Sequence, residues 1–150
     1  MEKAFLFFLM SLSCTLIACA QDRNSGNYIS REDSMRIKIT IGDTVLTAAM
    51  ADNASARDFI SMMHFSLNMT DYNRIEKVSN LPRQLNTAGM PAGYDPSIGD
   101  ITFYAPWGNI AIFYGDFGYV RGLVFLGRID SGIEAFAVPG SLTARFEVMP

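Results

Sequence analysis

From residue 36 the chain alternates. Arg36-Ile37-Lys38-Ile39-Thr40-Ile41 places polar and apolar side chains on opposite faces with period two, which predicts a half-buried strand. Gly42-Asp43 then supplies a two-residue turn with glycine at the first central position, a sequence suited to a tight hairpin, and residues 44–50 return. Pairing Ile41 with Thr44 sets Ile39 opposite Leu46 and Ile37 opposite Ala48. One face then collects Ile37, Ile39, Ile41, Leu46, Ala48 and Met50, while Arg36, Lys38, Thr40 and Thr47 take the other. A slip of one residue would mix the two faces, so the register is well specified.

The pattern changes period after Asn53, a suitable helix N-cap. Ala56, Phe59, Ile60 and Met63 fall at i, i+3, i+4 and i+7, which predicts a helix with one core-facing stripe. Ser55, Arg57, Asp58 and Ser61 take its outer face. Period two resumes at Phe65, Leu67 and Met69, and residues 74–78 read as another short strand. Residues 81–99 are the least regular part, broken by Pro82, Gly89, Pro91, Gly93, Pro96 and Gly99. A connection of this length without its own secondary structure is usually a functional or ordered surface loop. Three strands follow at 100–104, 109–114 and 123–129, separated by Pro106-Trp107-Gly108 and Gly115-Asp116-Phe117-Gly118. Residues 132–136 form one helical turn, and Leu142, Ala144, Phe146 and Val148 alternate in a closing strand. Many short strands with turn signals and little helix predict a mainly β domain, a closed barrel or sandwich.

The N-terminus is organised differently. Lys3 precedes an apolar run at residues 4–10, extended by Leu12, Leu16 and Ile17. The run is short of the roughly 20 apolar residues a spanning helix needs. It ends in Leu16-Ile17-Ala18-Cys19, which resembles the bacterial lipobox. That resemblance implies a signal peptide at 1–18, cleavage before Cys19, and a diacylglycerol attached to the Cys19 thiol. The alternative is an ordinary secretory signal cut after Ala18 or Ala20. Residues 19–34 are polar and aperiodic and read as a flexible tether, with Tyr28 and Ile29 the two side chains there suited to docking; its reach would be on the order of 20 Å. The folded domain is then 35–150. The chain has two cysteines, and Cys14 falls within the signal. The mature domain would thus hold neither a disulfide nor a cysteine zinc site. The lipobox implies a bacterial cell-envelope protein, lipid-anchored to a membrane on its non-cytoplasmic side. The formal net charge of -3, without a basic run, argues against nucleic acid as partner.

From residue 35 onward the chain resembles the small bacterial cyclophilin-like domains. The resemblance is carried by Ile39-Thr40-Ile41-Gly42-Asp43-Thr44, Leu81-Pro82-Arg83, Pro91-Ala92-Gly93-Tyr94-Asp95-Pro96, and the segment from Gly99 through Trp107-Gly108-Asn109. Val124-Phe125-Leu126-Gly127-Arg128-Ile129-Asp130-Ser131-Gly132 is similar to the strand and turn late in true cyclophilins. The resemblance implies a closed eight-stranded β-barrel with its ends covered by helix. It also raises prolyl cis–trans isomerisation, whose barrier is ~18–20 kcal/mol because resonance stiffens the amide. True cyclophilins lower it with an apolar pocket and an arginine aimed at the imide nitrogen, in a Phe-His-Arg segment after the first helix. Here the comparable segment reads Met63-His64-Phe65-Ser66-Leu67, without arginine, so no position inherits the catalytic role.

Other chemistry is sparse. His64 is the sole histidine and stands where it would cap the helix or face solvent. Asp43, Asp52, Asp95, Asp100, Asp116 and Asp130 sit at turns, where aspartate bonds nearby backbone. No cofactor or metal site is indicated. An aromatic cluster remains: Tyr94, Phe103, Tyr104, Trp107, Phe113, Tyr114, Phe117 and Tyr119. Strand alternation puts one member each of Phe103/Tyr104 and Phe113/Tyr114 in the core and the other outside. Tyr94, Tyr104, Trp107 and Phe113, with Arg83, Asn109 and Arg128 as polar companions, are the candidate ligand-binding residues. The expected function is a membrane-anchored binding module for a peptide or small apolar ligand. The competing readings are a prolyl isomerase with a displaced arginine and a structural envelope lipoprotein.

Overall fold

The computed structural model describes residues 35–150. Cys19, the apolar segment before it and the tether with Tyr28 and Ile29 lie outside the described residues. The elements in chain order are β1 (Arg36–Ile41), β2 (Thr44–Met50), α1 (Ala54–Ser61), β3 (Phe65–Tyr72), β4 (Glu76–Asn80), β5 (Gly93–Tyr94), β6 (Asp100–Tyr104), β7 (Asn109–Phe113), β8 (Val120–Arg121), β9 (Leu123–Ile129), a 3-10 turn (Ile133–Ala135) and β10 (Leu142–Val148).

Eight strands close an antiparallel barrel in the order β1-β10-β3-β4-β7-β6-β9-β2, and β5 and β8 form a separate two-stranded ribbon. Closure leaves the barrel without an exposed edge. The first hairpin has the expected register: Ile41 opposite Thr44, Ile39 opposite Leu46, Ile37 opposite Ala48. Its turn works because Gly42 takes φ 54°, a left-handed conformation in which a Cβ would be strained. Inside, Ile37, Ile39, Ala48, Met69, Ile101, Phe103, Ile110, Ile112, Ala144 and Phe146 are buried in one cluster. A bulge falls where β6 meets β9: Ile101 pairs with Gly127, but Thr102 pairs with Phe125. Gly127 permits this crowding, since a Cβ there would lie 2.5 Å from the Ala49 carbonyl oxygen.

Helix α1 covers the barrel end marked by Phe65 and Phe146. Phe59 meets both rings edge-on, with centroids 5.6 and 6.0 Å away. Asn53 caps the helix, its side chain accepting from the Ala56 amide at 2.8 Å. Two expectations are corrected here. Ser55 does not face outward: it is fully buried, and its hydroxyl donates to the Asn86 carbonyl at 2.7 Å. The helix also stops at Ser61, so Met63 packs on the core from beyond it.

The strand expected at 74–78 begins two residues later. Asn73 and Arg74 adopt φ 53° and 57° and form the turn between β3 and β4. The short strands β5 and β8 were not legible in the sequence; two residues carry too little periodicity. They meet closely, since a Cβ on Gly93 would collide with the Val120 carbonyl oxygen. The helical turn expected near Gly132 is the 3-10 turn, with Phe136 fully buried behind it.

Candidate functional site

The barrel has a second apolar layer on its outside. On β7, Ile110 and Ile112 point into the barrel, so Asn109, Ala111 and Phe113 face outward. On β4 the inward residue is Lys77, leaving Glu76 and Val78 outside. Tyr104 of β6 and Leu123 of β9 join them. Ala111, Phe113 and Leu123 are buried there, with Ile75, Val78, Tyr94, Tyr104 and Val120 packed around them. This layer floors a groove of about 260 Å3.

Aromatic rings wall the groove. Trp107 stands edge-on to both Tyr72 and Tyr104, at 5.9 and 5.3 Å between centroids. Phe113 and Phe117 stack at 6.4 Å. The cross-strand pair Val78 and Ala111 lies midway along the ladder. Trp107 is 59% exposed and forms the rim. Its place follows from the turn after β6, where Trp107 and Gly108 both donate backbone N–H groups to the Tyr104 carbonyl and Gly108 takes φ 71°.

Glu76 and Asn109 are polar groups of the groove whose carboxyl and side-chain oxygen have no protein partner among the described residues. Glu76 is paired in register with Tyr72 on one side and Phe113 on the other, so its carboxyl stands among rings. Neither a hydrogen bond nor an ion pair reaches it among the described residues. Burial pushes its pKa up to about 7, because an ionised carboxylate is poorly solvated there. At the other end Asn109 sits between Asn80 and Tyr104. It is 6% exposed, and its side-chain oxygen meets no donor. An unmet buried acceptor costs about 1–3 kcal/mol. No lysine or arginine lines the groove among the described residues.

Of the residues expected at a site, Tyr104, Trp107, Asn109 and Phe113 come together in the groove. Tyr94, Arg83 and Arg128 do not line it. Tyr94 packs behind the floor and donates its hydroxyl to Asp100 at 2.9 Å. The same carboxyl accepts from the Ser97 amide at 2.8 Å and from Arg128 Nε at 2.6 Å. Asp100 is therefore the fully buried hub of this network rather than a simple turn former. Arg83 is held by Asp58 through two bonds of 2.6 and 2.9 Å, which keeps the Asp58 pKa down at about 2. His64 is exposed, with Nδ1 4.0 Å from Glu147. Phe65, in the segment comparable to the family's arginine motif, packs on Phe59 and Phe146 instead.

Sequence reading missed Tyr72 and Glu76. The signal was the alternation of Glu76, Lys77 and Val78 immediately after a hairpin turn. Starting the strand at Arg74 hid that Glu76 faces Tyr72.

A search of curated proteins finds no match. Among solved structures, the fold is similar to the solution structure of the hypothetical protein AF2241 from Archaeoglobus fulgidus. The TM-score is 0.59 at 13% identity, covering 79% of this chain and 98% of that one. At that identity the likeness concerns the fold alone. The family model described as the cyclophilin-like family matches residues 39–147, nearly all of the barrel. With the eight-stranded closure and the outer groove, this match shows that the chain belongs to the cyclophilin-like family.

Proposed function

We propose that the protein is a binding module whose outer groove takes a short extended peptide, and that lipid on Cys19 holds the barrel at a membrane surface facing away from the cytoplasm. The observation that carries the binding reading is an aromatic-walled groove lined by no lysine or arginine among the described residues. Ligand sites combine apolar and aromatic walls with a few polar groups, in volumes of roughly 300–1,000 Å3. At about 260 Å3 this groove suits a few side chains of a peptide. A cyclophilin-type isomerase needs a cationic donor near the imide nitrogen, and Arg83 and Arg128 are each engaged by a carboxylate elsewhere.

Trp107 provides the test. It is the sole tryptophan of the chain and stands at the groove rim, so a bound peptide should change its emission. Titration of the full chain with short proline-containing peptides should give a saturable change, together with no acceleration of prolyl isomerisation of the same peptides. Acceleration by the unmutated protein would replace the binding reading with an enzymatic one. For the anchor, radiolabelled fatty acid should enter the protein in bacterial cells and be lost in Cys19→Ser. Undiminished labelling of that variant would remove the lipid anchor from the proposal.

A further inference from the structure

The groove carries a carboxyl without a partner at one end and a side-chain amide at the other, among the described residues. Glu76 presents a carboxyl between Tyr72 and Phe113. Asn109 lines the other end with its side-chain amide, whose oxygen is buried and meets no donor among the described residues. Both lie on the outer face and are related through β7, because Phe113, the partner of Glu76, is four residues from Asn109. At a strand rise of about 3.3 Å per residue the two levels are some ~13 Å apart. Between them the surface is apolar, with Val78 and Ala111 at the centre.

This arrangement selects its occupant by charge. A carboxylate held among aromatic rings is poorly served by water and well served by an organic cation. Such a cation gains both the ion pair and attraction to the ring faces. Anionic ligands meet repulsion from Glu76, and no lysine or arginine lines the groove among the described residues. The distance between the two groups exceeds what one amine can bridge while reaching both. It matches about four residues of extended peptide, which also brings backbone groups able to bond the Asn109 side-chain amide.

Building on the binding role proposed above, we infer that the groove is specific for a basic peptide segment, with a lysine or arginine side chain seated against Glu76 and a hydrogen bond made to the side-chain amide of Asn109. The aromatic walls of Tyr72, Trp107 and Phe113 hold the alkyl stem and the residues between the two contacts.

The test uses Trp107 emission of the full chain in mildly alkaline buffer, where Glu76 is ionised. Three acetylated, amidated tetrapeptides are compared, alike except that one terminal position carries lysine, norleucine or glutamate; free n-butylamine is the fourth ligand. The lysine peptide should bind about tenfold more tightly than the norleucine peptide, with the glutamate peptide weakest and butylamine far weaker than the lysine peptide. In Glu76→Gln the lysine preference should vanish while the norleucine peptide still binds. In Glu76→Lys the order should reverse in favour of glutamate. Asn109→Leu should weaken all three peptides alike. Equal binding of the three peptides by the unmutated protein would overturn the charge specificity while leaving the groove as a binding site. Absence of binding by every peptide would overturn both. Butylamine binding as tightly as the lysine peptide would replace the peptide with a small amine as occupant.

Discussion

Glu76 and Lys77 are adjacent, oppositely charged, and separated by the wall of the barrel. Strand alternation sends Glu76 out into the aromatic groove and Lys77 into the interior. Lys77 is fully buried. Its ammonium donates to Asp71 at 2.7 Å and to the carbonyls of Val138 and Gly140 at 2.6 Å each, which uses all three of its protons. Asp71 in turn accepts from the Tyr114 hydroxyl at 2.7 Å and the Gly140 amide at 2.8 Å. The cluster ties the segment before β10 across the barrel end opposite α1. Lys77 uses every proton it can donate, and the Glu76 side chain meets no partner among the described residues.

The interior cluster should respond sharply to losing one partner. Asp71→Asn removes the charge that offsets the buried Lys77 ammonium, and leaving a buried charge without its partner should destabilise the fold. Lys77→Met leaves Asp71 partly hydrated and strands two carbonyls, at about 1–3 kcal/mol. The double variant should be less destabilised than the sum of the two, because neither charge is then stranded. Urea unfolding of the four proteins as a double-mutant cycle measures the coupling. Additive losses would mean that the pair does not act as a unit.

Glu76 should set the opposite pH dependence from the other perturbed carboxyls. Burial raises its folded pKa to about 7 from the ordinary glutamate value of 4.5, so the folded state holds the proton more tightly than the unfolded state. Stability is then highest below about 4.5, falls as pH rises toward 7, and levels off above it. A fully enclosed carboxyl with this shift would lose about 3 kcal/mol; the partial exposure of Glu76 reduces that to about 1–2 kcal/mol. Asp58 and Asp71 are held down at about 2. Their contribution is present above the ordinary aspartate value and is lost as pH falls toward 2. Urea midpoints across this range should decline between pH 4.5 and 7 in the unmutated protein and stay flat there in Glu76→Gln.

Legibility in the sequence followed the length of each repeating pattern. The β1–β2 hairpin was readable to the residue because six apolar positions and one glycine agreed on a single register. The core–groove split of Phe103 and Tyr104 was equally fixed, since adjacent strand residues cannot share a face. Tyr104, Trp107, Asn109 and Phe113 were accordingly recognisable as neighbours. Two features escaped. Ser55 is polar yet buried, because a carbonyl from a loop 31 residues away accepts its proton; helical period carries no trace of that loop. Glu76 escaped because its meaning depends on Tyr72 and Phe113, brought to it across two different ladders.

Asn53 should matter beyond its capping role. Its oxygen accepts from the Ala56 amide, while its amide nitrogen donates to the Phe125 carbonyl on β9 at 2.9 Å. It thus joins α1 to the barrel wall. Asn53→Ala removes both bonds and should cost about 1–2 kcal/mol. Asn53→Asp keeps the cap but turns an acceptor toward the Phe125 carbonyl, so the aspartate should rescue little of the loss. Thermal unfolding of the two variants distinguishes these contributions. Full recovery in the aspartate variant would limit Asn53 to capping.

Trp107 and Phe113 both line the groove but differ in what else they support. Trp107 is 59% exposed, whereas Phe113 is 2% exposed within the outer apolar layer. Trp107→Ala should therefore change stability by no more than about 0.5 kcal/mol. It should nevertheless weaken peptide binding by about tenfold, as expected when an aromatic anchor is truncated. Phe113→Ala opens a cavity beside Ala111 and Leu123 and should cost about 3–5 kcal/mol of stability as well as binding. Anisotropy of a fluorescein-labelled peptide reads binding without relying on tryptophan emission, and urea unfolding reads stability. Binding that survives Trp107→Ala undiminished would move the contact surface away from this rim. A stability loss in that variant equal to the Phe113→Ala loss would instead make Trp107 a packing residue.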